Sequence, residues 1–352
     1  MKTLADIIGH DRARAVLAAS IRSERVHHAW IFHGPSGVGK RTCAEAFGLA
    51  LLDETTRAGE DGIESDERSP ARRLAESGVH PDLHVVTKEL ARFSDDPQIR
   101  ARKLTSIPRE VLVERVIEPA SRSAQLRTGA LASKVFVIDE AELMNDAGQN
   151  ALLKTLEEPP PGTVLVLVTA SEDRLLPTIR SRCQRVGFGP LTDAEMARWA
   201  AHAGFDAPGA LALAGGSPGA AVGVRDGGLE SWLSELEPML RDAERGVFRP
   251  ELGVTLKTLI DTWAKASVSA HEGASKDAAN KAGARTMFWL LTERVRRGLR
   301  AAAADGVENG RDALEQRVRE LACLGEAELN VARNVNLQLA MENLAAQLST
   351  PA

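Results

Sequence analysis

The sequence predicts an α/β fold: a parallel sheet flanked by helices, then a small helical piece, then an all-α C-terminal part. Three observations carry this. Short, nearly all-apolar runs, namely AWIF at 29–32, KVFVIDE at 134–140 and TVLVLVTAS at 163–171, have the character of strands buried on both faces. Stretches of helical spacing alternate with them, as crossover helices do on the two faces of a parallel sheet. Beyond residue 228 strand signals stop and only helical spacing continues.

The 352 residues suffice for two or three domains and a sizeable core. Hydrophobic residues at 43% and charged residues at 26% mark a soluble, globular chain. No apolar run reaches membrane-spanning length, and MKTLADIIGHDRARAV lacks a signal-peptide core, so a cytoplasmic protein without a membrane partner is expected. Cys43, Cys183 and Cys323 are far apart, which disfavours a disulfide framework and a cysteine zinc site. A net charge of −5 argues against a generally basic nucleic-acid binder and leaves room for a local basic face. Tyr is absent and aromatics total 4%, so few platforms exist for stacking bases.

In chain order, the strand AWIF leads into a Gly-rich loop and a helix through TCAEAFGLALL. DETTRAGEDGIESDERSPARR (53–73) is acidic and aperiodic and reads as a surface insertion. His84-Val85-Val86 reads as a short strand, ARFSDDPQIRARKLTS as a loop, and IPREVLVERVIEPA as a helix with Pro108 near its start and Pro119 at its end. KVFVIDE is a strand, QNALLKTLEEPP a helix stopped by prolines, and TVLVLVTAS another strand. Thr192 and Glu195 then form a capping box ahead of LTDAEMARWAAHAG, and PGALALAGG follows as a short helical piece. SWLSELEPML, LGVTLKTLIDTWAKA, ARTMFWLLTERVRRGLRAAAA and NVARNVNLQLAMENLAAQL are helical, with SAHEGASKDAANKAG as a polar connector.

Residues 33–42, HGPSGVGKRT, nearly complete the phosphate-binding pattern G-x-x-x-x-G-K-[ST], with Gly34, Gly39 and Lys40 in place. Backbone N–H groups of such a Gly-rich loop cradle phosphates at a helix N-terminus, and the Lys reaches the β/γ phosphates. A Gly-rich turn without a ligand would read the same. Arg41 stands where a Ser or Thr would hold Mg²⁺, and a cation cannot do that; Thr42 lies about 100° further round the helix. Asp139 and Glu140 end a buried strand at the carboxyl edge of the sheet, where Asp139 would hold Mg²⁺ through water and Glu140 would polarise an attacking water. Two acids at a solvated strand end are the plain alternative. LLPTIRSRCQR gathers Arg180, Arg182 and Arg185, either as a basic surface patch or as a finger offered to a neighbour's nucleotide. His27 and His28 read as packing residues, Leu152, Leu153 and Leu156 as a core stripe.

HHAWIFHGPSGVGK, HPDLHVV, KVFVIDEAELMN, NALLKTLEEPP, LLPTIRSRCQ and GGSPG together resemble the delta-prime subunits of the bacterial DNA polymerase III clamp loader, over most of the first 220 residues; NVNLQLAMENL resembles their last helix. The resemblance implies an AAA+ RecA-like P-loop domain at 1–188, a small helical lid at 189–227 and a helical collar at 228–352 that builds a ring. It implies gamma/tau and delta subunits, the sliding clamp and primer–template DNA as partners in replication. Arg182 would be an arginine finger given in trans, Glu140 the water-polarising acid, and Gly34, Pro35, Gly37, Gly39, Lys40, Arg41, Thr42 and Asp139 the nucleotide seat. ATP or ADP would bind weakly, Mg²⁺ only with nucleotide, and the chain's own ATPase would be weak or absent. The family's phosphate-sensing Arg is replaced by Gly219 after Gly216-Ser217-Pro218, and residues 53–80 lack the family's four zinc cysteines, so no zinc is expected. Lys40, lost in many delta-prime subunits, keeps the ATP-hydrolysing gamma/tau type as an alternative, and a purely structural collar subunit is a third.

Overall fold

Strand β1 (Ala29–His33) hydrogen-bonds in parallel on both sides, and its neighbours set the architecture. The structure, a computed structural model, describes residues 2–59, 62–100, 105–126, 130–270, 276–304 and 307–350. The chain divides into two units: residues 1–205 with Gly216–Gly219, and Asp206–Gly215 with Ala220–Ala352.

In the first unit α1 (Asp11–Arg22) precedes β1, and α2 (Lys40–Leu52) follows it. A two-residue hairpin, β2 (Arg57–Ala58) with β3 (Ile63–Glu64), and α3 (Pro70–Glu76) come next. The acidic insertion therefore holds structure around residues 60–61, which lie outside the described set. Ser69 explains the start of α3: its Oγ accepts from the Arg72 N–H and donates to the buried Asp53 carboxylate at 2.6 Å.

β4 (Leu83–Val86) leads to a 3₁₀ turn at Lys88–Phe93 and α4 (Pro97–Arg100), where a loop was expected; residues 101–104 of that stretch lie outside the described residues. α5 (Arg109–Leu112) widens through a π turn at Val113–Ile117 into α6 (Glu118–Ser121). Pro119 thus lies inside the helical stretch and not at its end, next to a wide turn that tolerates its missing N–H. β5 (Lys134–Ile138), α7 (Asp146–Glu157), β6 (Thr163–Thr169), α8 (Pro177–Arg180), β7 (Gln184–Gly187) and α9 (Asp193–Ala203) complete the unit. α9 opens with the capping box read from Thr192 and Glu195.

The sheet order is β4-β5-β6-β1-β7, all parallel. Alternate side chains face opposite layers. Trp30 and Phe32 enter the core with Leu17, Ile21, Phe47 and Leu51 from α1 and α2. Ile31, Phe136 and Leu165 enter the other, with Val111, Leu152, Leu156 and Ile179. Leu153 packs at that layer's rim. This is the both-faces burial that the apolar runs predict.

The second unit is helical: α10 (Pro208–Leu213), α11 (Pro218–Asp226, its first two residues counted with the first unit), α12 (Leu229–Glu244), α13 (Pro250–Ala270), α14 (Lys276–Ala304), α15 (Val307–Ala332) and α16 (Leu337–Leu348). α14 begins within the expected polar connector, whose residues 271–275 lie outside the described set. NVARNVNLQLAMENLAAQL is not one helix. Asn334 turns left-handed at φ 65°, and Asn336 caps α16 by accepting from Gln338 N–H. No helix among the described residues is long and apolar enough to cross a membrane.

An ion network ties α12, α14 and α15. Arg294 Nε lies 2.8 Å from Glu237 and Nη1 2.7 Å from Glu244, and Arg317 bridges Glu244 and Glu320. Burial works to raise the pKa values of Glu237 and Glu244, but hydrogen bonds from Arg294, Arg241 and Arg317 outweigh it and hold both below 4.5. A depressed carboxylate stabilises the fold above its unfolded pKa, and that stability is lost as pH falls through the folded value. Chemical denaturation against pH should therefore show the chain weakening below about pH 4.5, and Arg294→Ala should flatten this limb and remove about 2 kcal/mol near neutrality. In the first unit, Phe47→Ala should cost about 3–5 kcal/mol, since Phe47 is fully buried edge-on to Trp30 at 5.3 Å.

Candidate nucleotide site

β1 ends at His33 and the chain turns through Gly34 (φ 138°), Gly37 (φ 75°) and Gly39 (φ 106°) into α2. Gly34 is obligatory for space as well as dihedral: a Cβ there would stand 2.0 Å from the Phe188 carbonyl oxygen. The N–H groups opening α2 have no carbonyl within the helix to bond, so this end suits an anion. Lys40 is 6% exposed, and its Nζ donates to the carbonyls of Gly34 (2.7 Å) and Pro35 (2.6 Å). Its burial pulls the ammonium pKa below the usual range, against the opposing pull of Glu142 and Asp139.

The loop is braced from outside. His10 Nε2–H donates to the Val38 carbonyl at 2.9 Å, and the Ser217 hydroxyl donates to the Ser36 carbonyl at 3.1 Å. The Gly219 N–H donates to the Gly37 carbonyl at 2.8 Å. A Cβ on Gly219 would sit 2.8 Å from Gly37 Cα, so the missing Arg at this position has a steric reason: no side chain leaves Gly219 while it touches the loop.

Asp139 and Glu140 follow β5 at the same carboxyl edge of the sheet as the loop. Each has its own cation. Arg41 Nη1 approaches Asp139 Oδ2 at 3.4 Å while its Nε donates to Glu45 Oε1 at 2.7 Å. Burial lowers the Arg41 pKa, but Glu45 and Asp139 outweigh it, so the guanidinium stays charged. Lys88 Nζ lies 2.8 Å from Glu140, whose backbone is left-handed at φ 49°, a strained place for a Glu. Thr42 is exposed on α2. The cradle and Lys40 suit a polyphosphate. The Mg²⁺ position does not suit a metal: a guanidinium replaces the hydroxyl and already neighbours Asp139, and like charges at about 4 Å repel by several kcal/mol at an effective dielectric of ~20. Among the described residues no group of His, Cys, Asp and Glu is placed to hold a metal ion.

Arg182 lies at the other edge. It precedes β7, and its Nη2 pairs at 2.7 Å with Glu157, which precedes β6; Nη1 donates to the Thr178 carbonyl at 2.9 Å. Since the strands are parallel, this is the amino edge, about 16 Å of strand from the loop. The arginines do not pool their charge: Arg180 pairs with Asp173 at 3.5 Å and Arg185 with Glu172 at 3.1 Å. Burial pushes the neighbouring Cys183 thiol up to about 12, which leaves it unreactive. His27 and His28 stack on each other at 4.4 Å, and His28 Nε2–H donates to the Leu156 carbonyl.

The family described as DNA polymerase III, delta subunit, matches residues 9–192. The chain belongs to this family. The DNA polymerase III subunit delta' of Pseudomonas aeruginosa is 36% identical over 197 residues, 54% of this chain and 53% of that protein. The DNA polymerase III subunit tau of Salmonella typhimurium is 30% identical over 342 residues, 91% of this chain and 48% of that protein. The chain thus spans about half the length of these relatives. A solved gamma-subunit-related protein of Thermotoga maritima is 16% identical, covers 95% of this chain and 98% of its own, and has a TM-score of 0.41.

Within this DNA polymerase III family member, sequence reasoning found the loop, the acids and Arg182 but not their partners. Glu45 stands four residues after Arg41, a helical spacing that could have been read. Lys88, Glu157, His10 and Ser217 carry no such local signal. The Gly219 contact predicts a contrast between two glycines of α11. Gly219→Ala should destabilise the chain by about 1–3 kcal/mol through its clash with Gly37. Gly223→Ala, with nothing within 4 Å of the added Cβ, should stabilise it by up to about 1 kcal/mol through helix propensity. Thermal melts of both variants check the contrast.

Proposed function

We propose that the chain works as a delta-prime-type clamp-loader subunit, beside ATP-binding gamma/tau subunits and a delta subunit, to load the sliding clamp on primer–template DNA. Residues 1–188 would be the AAA+ module, 189–227 the lid and 228–352 the collar. The observation that carries the reading is the separation of Lys40 and Arg182 on opposite edges of one parallel sheet. An arginine at the amino edge has no route to its own phosphate loop, so any nucleotide it serves belongs to a neighbour. Glu157 would hold the guanidinium in place until a neighbour's phosphates, as stronger acceptors, draw it away.

The chain's own pocket favours binding over turnover. Gly37 to Gly39 would offer N–H groups to phosphate oxygens, and Lys40 would exchange the carbonyls of Gly34 and Pro35 for a phosphate. Nucleotide would supply the phosphates on which such chemistry acts. Glu140, however, is occupied by Lys88 and would have to leave it to polarise a water; Asp139 is similarly engaged by Arg41. Both facts support weak hydrolysis.

Similarity to a tau subunit along 91% of the chain, with Lys40 retained, favours gamma/tau-type turnover as the second reading. ATPase of the isolated chain that Lys40→Ala abolishes would select it. Under the delta-prime reading, Arg182→Ala should lower DNA-stimulated ATPase of the reconstituted complex, for the sites that this finger serves, by a factor on the order of 10³ or more. Assembly, followed by size-exclusion chromatography, should be unaffected. Unchanged ATPase in that variant would remove the finger role.

A further inference from the structure

The acid pair at the carboxyl edge is neutralised one carboxylate at a time, Asp139 by Arg41 and Glu140 by Lys88. Arg41 and Lys88 thus set two positive charges against the two carboxylates, at the place where a phosphate loop ordinarily relies on one divalent ion. Arg41 also has the reach and donors to serve a ligand. A guanidinium offers five N–H groups in a fork, and the bonds to Glu45 and Asp139 engage Nε and Nη1 of a half-exposed side chain. Mg²⁺, by contrast, demands near-octahedral oxygen ligands at about 2.0–2.1 Å. Arg41 has no oxygen to give, and its charge opposes a second cation. Thr42, the next hydroxyl, is exposed on another face of α2.

We infer that the Gly34–Lys40 loop takes a nucleoside diphosphate or triphosphate without a divalent metal, with Arg41 making the phosphate contact that the metal would otherwise mediate. The inference rests on reading this loop as a nucleotide seat. Lys40 holds one end of the phosphates and Arg41 the other, and Lys88 keeps Glu140 from repelling them. Such a site would retain nucleotide as a bound structural group, because the hydroxyl–metal arrangement that supports hydrolysis is missing.

Isothermal titration calorimetry of the full chain with ADP, once with Mg²⁺ and once with EDTA, tests this without any variant. Affinities agreeing within about twofold are expected, small beside the tenfold or larger effect of a lost charge-assisted contact. Arg41→Thr, which restores the hydroxyl, should weaken binding in EDTA by about tenfold or more, and Mg²⁺ should now recover it. A thermal melt verifies that the variant is folded. Wild-type binding that vanishes in EDTA overturns the inference. Absence of ADP binding under both conditions also overturns it, while leaving the Arg182 role intact, since that is read from the ATPase of the assembled complex.

Discussion

Everything at this site depends on the parallel pairing of β1 between β6 and β7. Parallel strands put all their carboxyl ends on one edge and all their amino ends on the other. The phosphate loop after β1 and the acids after β5 therefore share an edge, and Arg182, two residues before β7, is confined to the opposite one. No side-chain rearrangement can bridge a whole strand length. The separation of the Gly-rich loop from Arg182 follows from strand direction.

The register that makes this geometry also makes the core. Trp30 and Phe32 face one layer and Ile31 the other, so each face of β1 is closed by a different set of helices. A shift of one residue would exchange the two faces. It would also displace Gly34 from beneath the Phe188 carbonyl, where only a hydrogen fits. Packing and loop position are therefore one constraint. The second unit relies on a different device: long helices whose apolar stripes are supplemented by Arg294 and Arg317 among three glutamates.

How much of this could be read from sequence depends on whether the signal is local. β1, β5 and β6 were legible because burial on both faces leaves them almost entirely apolar. β7 was not, because it is an edge strand with Gln184, Arg185 and Gly187 exposed and only Val186 buried. α15 was missed because charged residues and glycines interrupt its apolar spacing, and α1 because its apolar stripe is sparse. At the site, Arg41 was visible as a departure from a fixed pattern. That it neighbours Asp139, 98 residues away, was not, since no local spacing encodes a contact made through sheet order. Gly219 was legible as an absence, whereas its cause, contact with Gly37, needed three dimensions.

The bracing of the loop bears on what its retention means. His10, Ser217 and Gly219 each bond a loop carbonyl, and Lys40 bonds two more. A loop held by its own protein keeps its shape with or without phosphate, so the glycine pattern is required by packing as much as by a ligand. Loop shape therefore cannot discriminate between a nucleotide seat and a structural turn. Charge can. Lys40 is buried at a desolvation cost that two carbonyls only partly offset, and an anion at the mouth of α2 would offset more of it. Arg41 remains charged and half exposed beside that same mouth. Two cations, one buried and one accessible, converge on a helix N-terminus where Asp139 and Glu140 are already paired, with Glu142 also facing Lys40. The placement of Arg41 beside that mouth, where a hydroxyl would hold a metal, favours an anion over a cation.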